Sequence, residues 1–331
     1  MISMDRNTSP KSPLSKEQII GAVSKTNVEV YPEVELERFK KLYAKRNGFD
    51  PENIEVANGS DEWLQKIIMT LGKNGVMSLN PDFFMYQIYT NQVGLRYYSV
   101  PSREDFSHDY DLTISEIKKK KPSVFFISNP HNPTGVLLPS HFINELADAM
   151  KSVGGYLVID EAYGEFALER QLPEGEHIII VRTMSKVYGL AGLRIGIAIA
   201  TGKTYDTITR INHPYPLNSL TLNLGSELLS DDKQLDEWFD YQKQLQQSLV
   251  DAFETVRRHI KIKPSHTNFV FTYGDKARDL YEYLYKYGYR GRVYDEENLQ
   301  DAARYSIIDE DEYPKLKELI TEWGKSHDEV Q

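Results

Sequence analysis

Three short runs carry the side chains best suited to chemistry. Arg182-Thr183-Met184-Ser185-Lys186 places an amine beside two hydroxyls, and Arg194 follows after Gly189-Leu190-Ala191-Gly192-Leu193. Asp160-Glu161-Ala162-Tyr163 joins a carboxylate to a phenol. Asn129-Pro130-His131-Asn132-Pro133-Thr134-Gly135 sets two amides in a turn stiffened by two prolines, a combination with a conformational cost unless one particular turn is wanted. Taken singly, each run has an ordinary reading. A strand that ends in Asp usually ends in a turn, and a Ser-Lys pair is usually a solvated surface pair. Together, in this order, they supply an amide, a carboxylate with a phenol, and a lysine with hydroxyls and an arginine. That inventory suits an anionic, phosphorylated ligand with a polar ring.

Each run follows an apolar segment. Ser123 to Ser128 (SVFFIS), Tyr156 to Asp160 (YLVID) and Ile178 to Val181 (IIIV) are continuous apolar stretches, as is Ile195 to Ala200 (IGIAIA). Unbroken apolar strands imply a sheet covered on both faces. Ile54 to Ala57 and Val76 to Leu79 are shorter candidates of the same kind. Helical spacing predicts helices over Glu33 to Asn47, with Gly48 as the stop, over Phe83 to Val93 and over Pro139 to Val153. Ser60 is expected to cap a helix running to Leu71. Strands alternating with helices predict an α/β fold with a mainly parallel sheet. In such sheets ligands bind beyond the carboxyl ends of the strands, where the three runs lie. After about residue 233 the texture changes. A long polar helix is expected over Gln234 to Ile260, then a strand over Thr267 to Thr272, a helix over Lys276 to Tyr287, a strand over Arg304 to Ile308 and a helix over Glu312 to Trp323. This predicts a large domain over 30–232 and a smaller α+β domain built from 1–29 and 233–331.

The 331 residues include 39 Lys+Arg and 49 Asp+Glu, a net charge of −10, so nothing electrostatic favours nucleic acid or an anionic membrane as partner. There is no cysteine, hence no disulfide, thiolate metal site or Cys nucleophile. No stretch approaches the roughly 18 apolar residues of a membrane helix. The first residues, MISMDRNTSPKSPLSKEQ, lack the apolar core of a signal peptide. A cytoplasmic enzyme acting on small molecules, with no metal, is the expectation. No G-x-G-x-x-G follows an early strand, which argues against a doubly wound dehydrogenase.

The motifs, together with Tyr31-Pro32-Glu33, Asn58-Gly59-Ser60-Asp61-Glu62, Pro81-Asp82-Phe83-Phe84-Met85-Tyr86 and Asn268, resemble the fold-type I pyridoxal-phosphate (PLP) aminotransferases, most nearly the histidinol-phosphate aminotransferase group. The resemblance spans nearly the whole chain. It implies a large domain with a mainly parallel, seven-stranded sheet flanked by helices, a small α+β domain, and a homodimer with shared active sites. It implies that Lys186 forms the Schiff base with PLP and moves the proton at Cα, and that Asp160 faces the pyridine nitrogen. Asn132 and Tyr163 are then expected on the ring 3-oxygen and Phe83 stacked on the ring. Ser60, Asp61, Thr183, Ser185 and Arg194 would form the phosphate cup, and Tyr31 would reach the phosphate of the neighbouring subunit. On the substrate side, Arg304 corresponds to a carboxylate clamp, Arg292 to a phosphate contact, and Asn7 to the start of an Asn-x-Asn-Pro motif. Here that motif is Asn7-Thr8-Ser9-Pro10, without the following aromatic, and Ser306-Ile307-Ile308-Asp309 replaces a Thr-x-Gly. The implied reaction moves an amino group between an anionic amine or amino acid and 2-oxoglutarate. A phosphoamino-acid decarboxylase or C–S lyase resembles the chain too, because substrate orientation decides which Cα bond breaks. A PLP-binding regulator is the reading from another class. The Asn132-Pro133 bond is expected to be cis.

Overall fold

Alternate residues of the central strands face two different cores. Phe125 and Ile127 belong to one buried cluster, Val124 and Phe126 to another, and the same split separates Leu157 and Ile159 from Val158. A strand with both faces buried has this pattern, since successive side chains point to opposite sides. Seven strands make the large sheet, the inner ones of this kind: β1 (Ile54–Asn58), β2 (Val76–Asn80), β3 (Tyr97–Pro101), β4 (Val124–Ser128), β5 (Tyr156–Asp160), β6 (Ile178–Thr183) and β7 (Ile195–Ile199). The computed structural model describes residues 1–167 and 170–328. The sheet order is β1-β7-β6-β5-β4-β2-β3. β7 alone runs antiparallel to its neighbours β6 and β1. The reason is local: only Met184 to Arg194 connect β6 to β7, with no crossover helix, and a parallel return needs one. Lys186 and Arg194 therefore sit on a hairpin-like connection, held by Met184 N–H to Ile195 O at 3.0 Å and Leu190 N–H to Met184 O at 2.9 Å.

Most expected elements appear within a residue or two. The helix Glu33–Asn47 ends at Gly48 with φ 73°, a conformation that glycine adopts without strain. Two helix ends differ more: the one expected to reach Ile260 stops at Glu254, and the one expected to stop at Trp323 runs to Asp328. Three further expectations need correction. Ser60 is the first residue of the helix Ser60–Leu71, and Gly59 is its N-cap, with φ 81° and no side-chain cap. Phe83 and Phe84 precede the next helix, which begins at Met85. Residues 1–29 do not act as one unit of a small domain. Ile2–Ser3 pair with Tyr289–Arg290 of the small half, but Leu14 and Ala22, the latter on the helix Lys16–Ser24, enter the large-sheet core with Phe39. The helix Asp232–Glu254 likewise serves both halves: Leu235 and Phe239 pack in the large core, Leu245 and Leu249 in the small one. One amphipathic helix bridging two cores explains why no linker composition marks a boundary.

The small half is a four-stranded sheet centred on Phe269–Tyr273 and Ala302–Ser306, covered by Asp232–Glu254, Ala277–Lys286 and Tyr313–Asp328. Residues 329–331 of the expected small domain lie outside the described residues. Among the described residues, no helix is long and apolar enough to cross a membrane.

Candidate active site

Asp160 ends β5 at the centre of the sheet, next to Ser128 at the end of β4 and Val181 near the end of β6. Its carboxylate accepts from Tyr86 Oη at 2.9 Å and from Ala162 N–H at 3.1 Å. Burial pushes its pKa up to about 6 despite these donors. Glu161, the next residue, is equally buried but turns to the other side. Burial pushes it up as well, yet the Arg182 and Arg170 guanidiniums overcome this and leave it below the usual carboxylate range. Two adjacent carboxylates thus have opposite tasks. Glu161 ties the end of β5 to β6 through Arg182 Nη2 at 2.7 Å, while Asp160 keeps no cation of its own.

Lys186 stands opposite. Its pKa is lowered to about 8, by burial first and then by Arg304. Nζ lies 3.3 Å from Arg6 O, to which it donates, and 5.9 Å from the Tyr163 ring centroid. A cavity of about 270 Å³ separates it from Asp160, with Ser60, Thr183, Ser185 and Arg194 at one end and Phe83 and Asn132 on its walls. The donor end is a built cradle. Thr183 Oγ1 donates to Ser185 Oγ at 2.9 Å, and Arg194 Nη1 reaches the same Oγ at 3.5 Å. Gly59 has φ 81°, and a Cβ at Gly196 would come within 2.3 Å of Ser60 N, so the backbone conformation at the first and the close approach at the second require glycine. The dipole of the twelve-residue helix Ser60–Leu71 points its positive end here.

The structure brings together every sequence-singled residue except Tyr31. Tyr163 is buried, and its Oη accepts from Asn7 Nδ2 at 2.7 Å. Asn132 Oδ1 accepts from Arg304 Nη1 at 2.6 Å. Asp61 lines the cavity, with its carboxylate 3.2 Å from Arg194, so that pair lies inside the site and not on a distant surface. A second cavity of about 150 Å³ adjoins Lys186 and is bordered by Asn7, Phe83, Arg292 and Arg304. Tyr31 is 75% exposed, stacks on Tyr215 at 4.6 Å and borders neither cavity. Asn132-Pro133 is cis, as expected, and so are Asn80-Pro81 and Asn129-Pro130.

Two further residues, both within the Pro81 to Tyr86 run, had no role assigned from sequence. Tyr86 is the donor to Asp160, and its place three residues after Phe83 was the available signal. The Asp82 side chain is buried between Ser128 Oγ, which donates to it, and His131, 3.8 Å away, and burial holds its pKa well above the usual range.

The residues present fit PLP. One end of the cavity offers hydroxyls, a guanidinium and a helix N-terminus for a phosphate, the floor a carboxylate for a ring nitrogen, and the wall an amine of lowered pKa.

Residues 4–316 match the family model described as aminotransferase class I and II. Histidinol-phosphate aminotransferase of Clostridium novyi is 31% identical over 297 residues, 88% of this chain and 82% of the relative. The enzyme of the same name from Pyrococcus furiosus is 33% identical over 294 residues, 87% and 82% of the two chains. Among solved structures, the histidinol-phosphate aminotransferase from Clostridium acetobutylicum superposes with a TM-score of 0.86 at 21% identity, over 98% of this chain and all 100% of that one. The Sinorhizobium meliloti histidinol-phosphate aminotransferase in complex with pyridoxal-5'-phosphate gives 0.83 at 24% identity, over 98% and 91%. At these identities the structural likeness speaks to the fold.

Proposed function

The chain belongs to the class I and II aminotransferases, and from that premise we propose that it moves an amino group from a phosphorylated amine of the histidinol-phosphate type to 2-oxoglutarate. The observation that carries the substrate class is the pairing of Arg292 with Arg304. They are register partners on antiparallel strands, so both project from one face, and both border the small cavity beside Lys186. Like charges directly opposite one another are unfavourable without anions between them. A substrate with negative charge supplies what the fold leaves out. The names of the curated relatives support this class.

When bound, pyridoxal 5'-phosphate supplies the carbonyl that exchanges the amino group and the ring that withdraws charge from Cα. Lys186 would hold it, with Ser60, Thr183, Ser185 and Arg194 on its phosphate and Asn132 and Tyr163 on its ring oxygen. Asp160, held by Tyr86, would as a carboxylate favour a proton on the ring nitrogen. Lys186, its pKa lowered to about 8, takes the proton from Cα as the neutral amine and returns it as the ammonium. Phe83 closes one side of the cavity against water, and Arg304 orients the carboxylate of glutamate.

The test is amino transfer to 2-oxoglutarate from histidinol phosphate, histidinol and aliphatic amino acids. Histidinol phosphate should lead in kcat/KM. Arg292→Ala should raise its KM by a factor equivalent to roughly 1.5–3 kcal/mol and that of histidinol far less. A wild-type preference for neutral amino acids would point to a general transaminase instead.

The same reading places the enzyme in the cytoplasm as a homodimer with shared sites. Ile20, Val23, Val28, Val30, Tyr31 and Val34 are all exposed within fifteen residues, an apolar surface that a second copy would cover. Mixing Lys186→Ala and Tyr31→Phe chains should restore activity through hybrid dimers with one intact site. An enzyme fully active as a monomer would rule sharing out.

A further inference from the structure

Residues 2–8 cross the mouth of the site as a pinned strap. Ile2 N–H donates to Gly288 O at 2.7 Å and Met4 N–H to Arg290 O at 2.8 Å, while Met4 O accepts Ser306 N–H at 2.8 Å. Farther along, Asn7 O accepts Asn268 Nδ2 at 2.9 Å. Between these anchors, Asp5 O accepts Arg304 Nη2 at 3.3 Å and Arg6 O accepts Lys186 Nζ at 3.3 Å. Arg6 therefore has a fixed backbone, and it borders both the cofactor cavity and the small cavity beside it. Its neighbours already have partners. The Asp5 carboxylate pairs with Arg290 at 3.2 Å, and Asn7 is bonded to Tyr163. Among the described residues, Arg6 makes no ion pair, and neither do Arg292 and Arg304.

We infer that Arg6 is a specificity-determining residue that joins Arg292 on the distal anion of the amine substrate, and that this anion is a phosphate monoester. This rests on the reading under Proposed function and deepens it. Arg304 is engaged by Asn132 and Asp5 O at the Lys186 end, where the carboxylate of the 2-oxo acid belongs. Arg6 and Arg292 are the remaining arginines that border the cavity. Two guanidiniums over-neutralise one carboxylate but match a phosphate monoester, which carries roughly 1.5 to 2 negative charges and three acceptor oxygens. Arg290 shows the alternative outcome: only two residues from Arg292, it is neutralised within the fold by Asp5 and borders neither cavity.

The test uses the PLP-loaded enzyme and its Arg6→Gln and Arg6→Lys variants. Binding of propyl phosphate and of butyrate is measured by calorimetry, and kcat/KM is measured for histidinol phosphate and histidinol. Arg6→Gln should weaken propyl phosphate about tenfold or more, the loss of one charge-assisted contact, and leave butyrate nearly unchanged. It should cut kcat/KM for histidinol phosphate by a similar factor and for histidinol much less. Arg6→Lys should recover part of the loss. Unchanged propyl phosphate binding in both variants, or equal losses on both members of each pair, overturns the inference. A wild type that binds propyl phosphate through Arg6 but turns over histidinol equally well refutes the proposed substrate while leaving the Arg6 contact standing.

Discussion

The two halves of the site are built on opposite electrostatic plans. On the large sheet nearly every polar group is already paired: Asp160 with Tyr86 and Ala162, Thr183 with Ser185, and Glu161 with Arg170 and Arg182. On the small sheet and the strap, Arg6, Arg292 and Arg304 border the cavity without an ion pair among the described residues. A resident cofactor and a transient substrate make different demands. The floor must hold its shape whether or not chemistry is under way, and buried groups there would be costly if left unpaired. The wall must exchange one anion for another in each turnover. Arg6 and Arg292 are exposed, so water and salt screen their mutual repulsion between substrates.

The sharpest way to break this contrast is to remove the amine from the floor. Lys186→Ala should lower kcat by about 10⁴-fold, the upper end of the range for a lost acid–base group, with no borohydride-reducible link to the cofactor. The fold should survive, because Nζ contributes one 3.3 Å bond to Arg6 O. A variant that transaminates at the normal rate would remove Lys186 from the reaction.

Asp160→Asn separates function from stability on the same floor. Burial raises this carboxyl from 3.8 to about 6, so the folded chain holds the proton more tightly than the unfolded one. The resulting penalty is absent below pH 3.8, grows up to pH 6 and is complete above it. Without cofactor, the amide variant should therefore melt no lower than the wild type at pH 7.5. With cofactor, kcat should drop about 10²–10³-fold, as for other lost electrostatic contacts to developing charge. A lower melting temperature together with normal turnover would mean that the carboxylate serves the fold.

The same contrast decided what the sequence made legible. The floor lies at the ends of continuous apolar strands, so SVFFIS, YLVID and IIIV located it, and the motif residues behind them met as expected. Tyr86 escaped because a buried tyrosine looks like core until its partner is known. The wall depends on the chain's return path. Nothing in the composition of Ile2 to Arg6 discloses a parallel pairing with Tyr289–Arg290, and Arg292 becomes the neighbour of Arg304 only through a two-residue strand too short to leave a periodic signal. Ser60 was misread as a cap because hydroxyls are the usual caps. Here the cap position has φ 81°, which glycine adopts without strain, and Gly59 takes it.

A smaller effect is expected on the wall. Arg304→Lys keeps the charge but loses the planar fork that now spans Asn132 Oδ1 and Asp5 O. The KM for glutamate should rise roughly tenfold, about 1.4 kcal/mol, while cofactor affinity is unchanged. If cofactor affinity falls instead, Arg304 belongs to the floor.

The least perturbing experiment asks how far the two halves act on each other. Lys186 has its pKa lowered to about 8 from 10.5, by burial first and by Arg304 second. Without cofactor, acetylation of Lys186 followed by peptide mass spectrometry should rise with pH through a midpoint near 8. At pH 7 roughly a tenth of the amine would be neutral, against less than a thousandth for a solvated lysine. Arg304→Gln should move that midpoint upward only modestly, because burial remains when the guanidinium is gone. A wild-type midpoint near 10.5 would mean that the amine is solvated and the floor open. A variant midpoint restored fully to 10.5 would make the wall, and not burial, the main cause. A shift between these limits is the expected result. It would show that the unpaired charge of the wall also helps keep the amine of the floor neutral, which joins the two plans at one nitrogen.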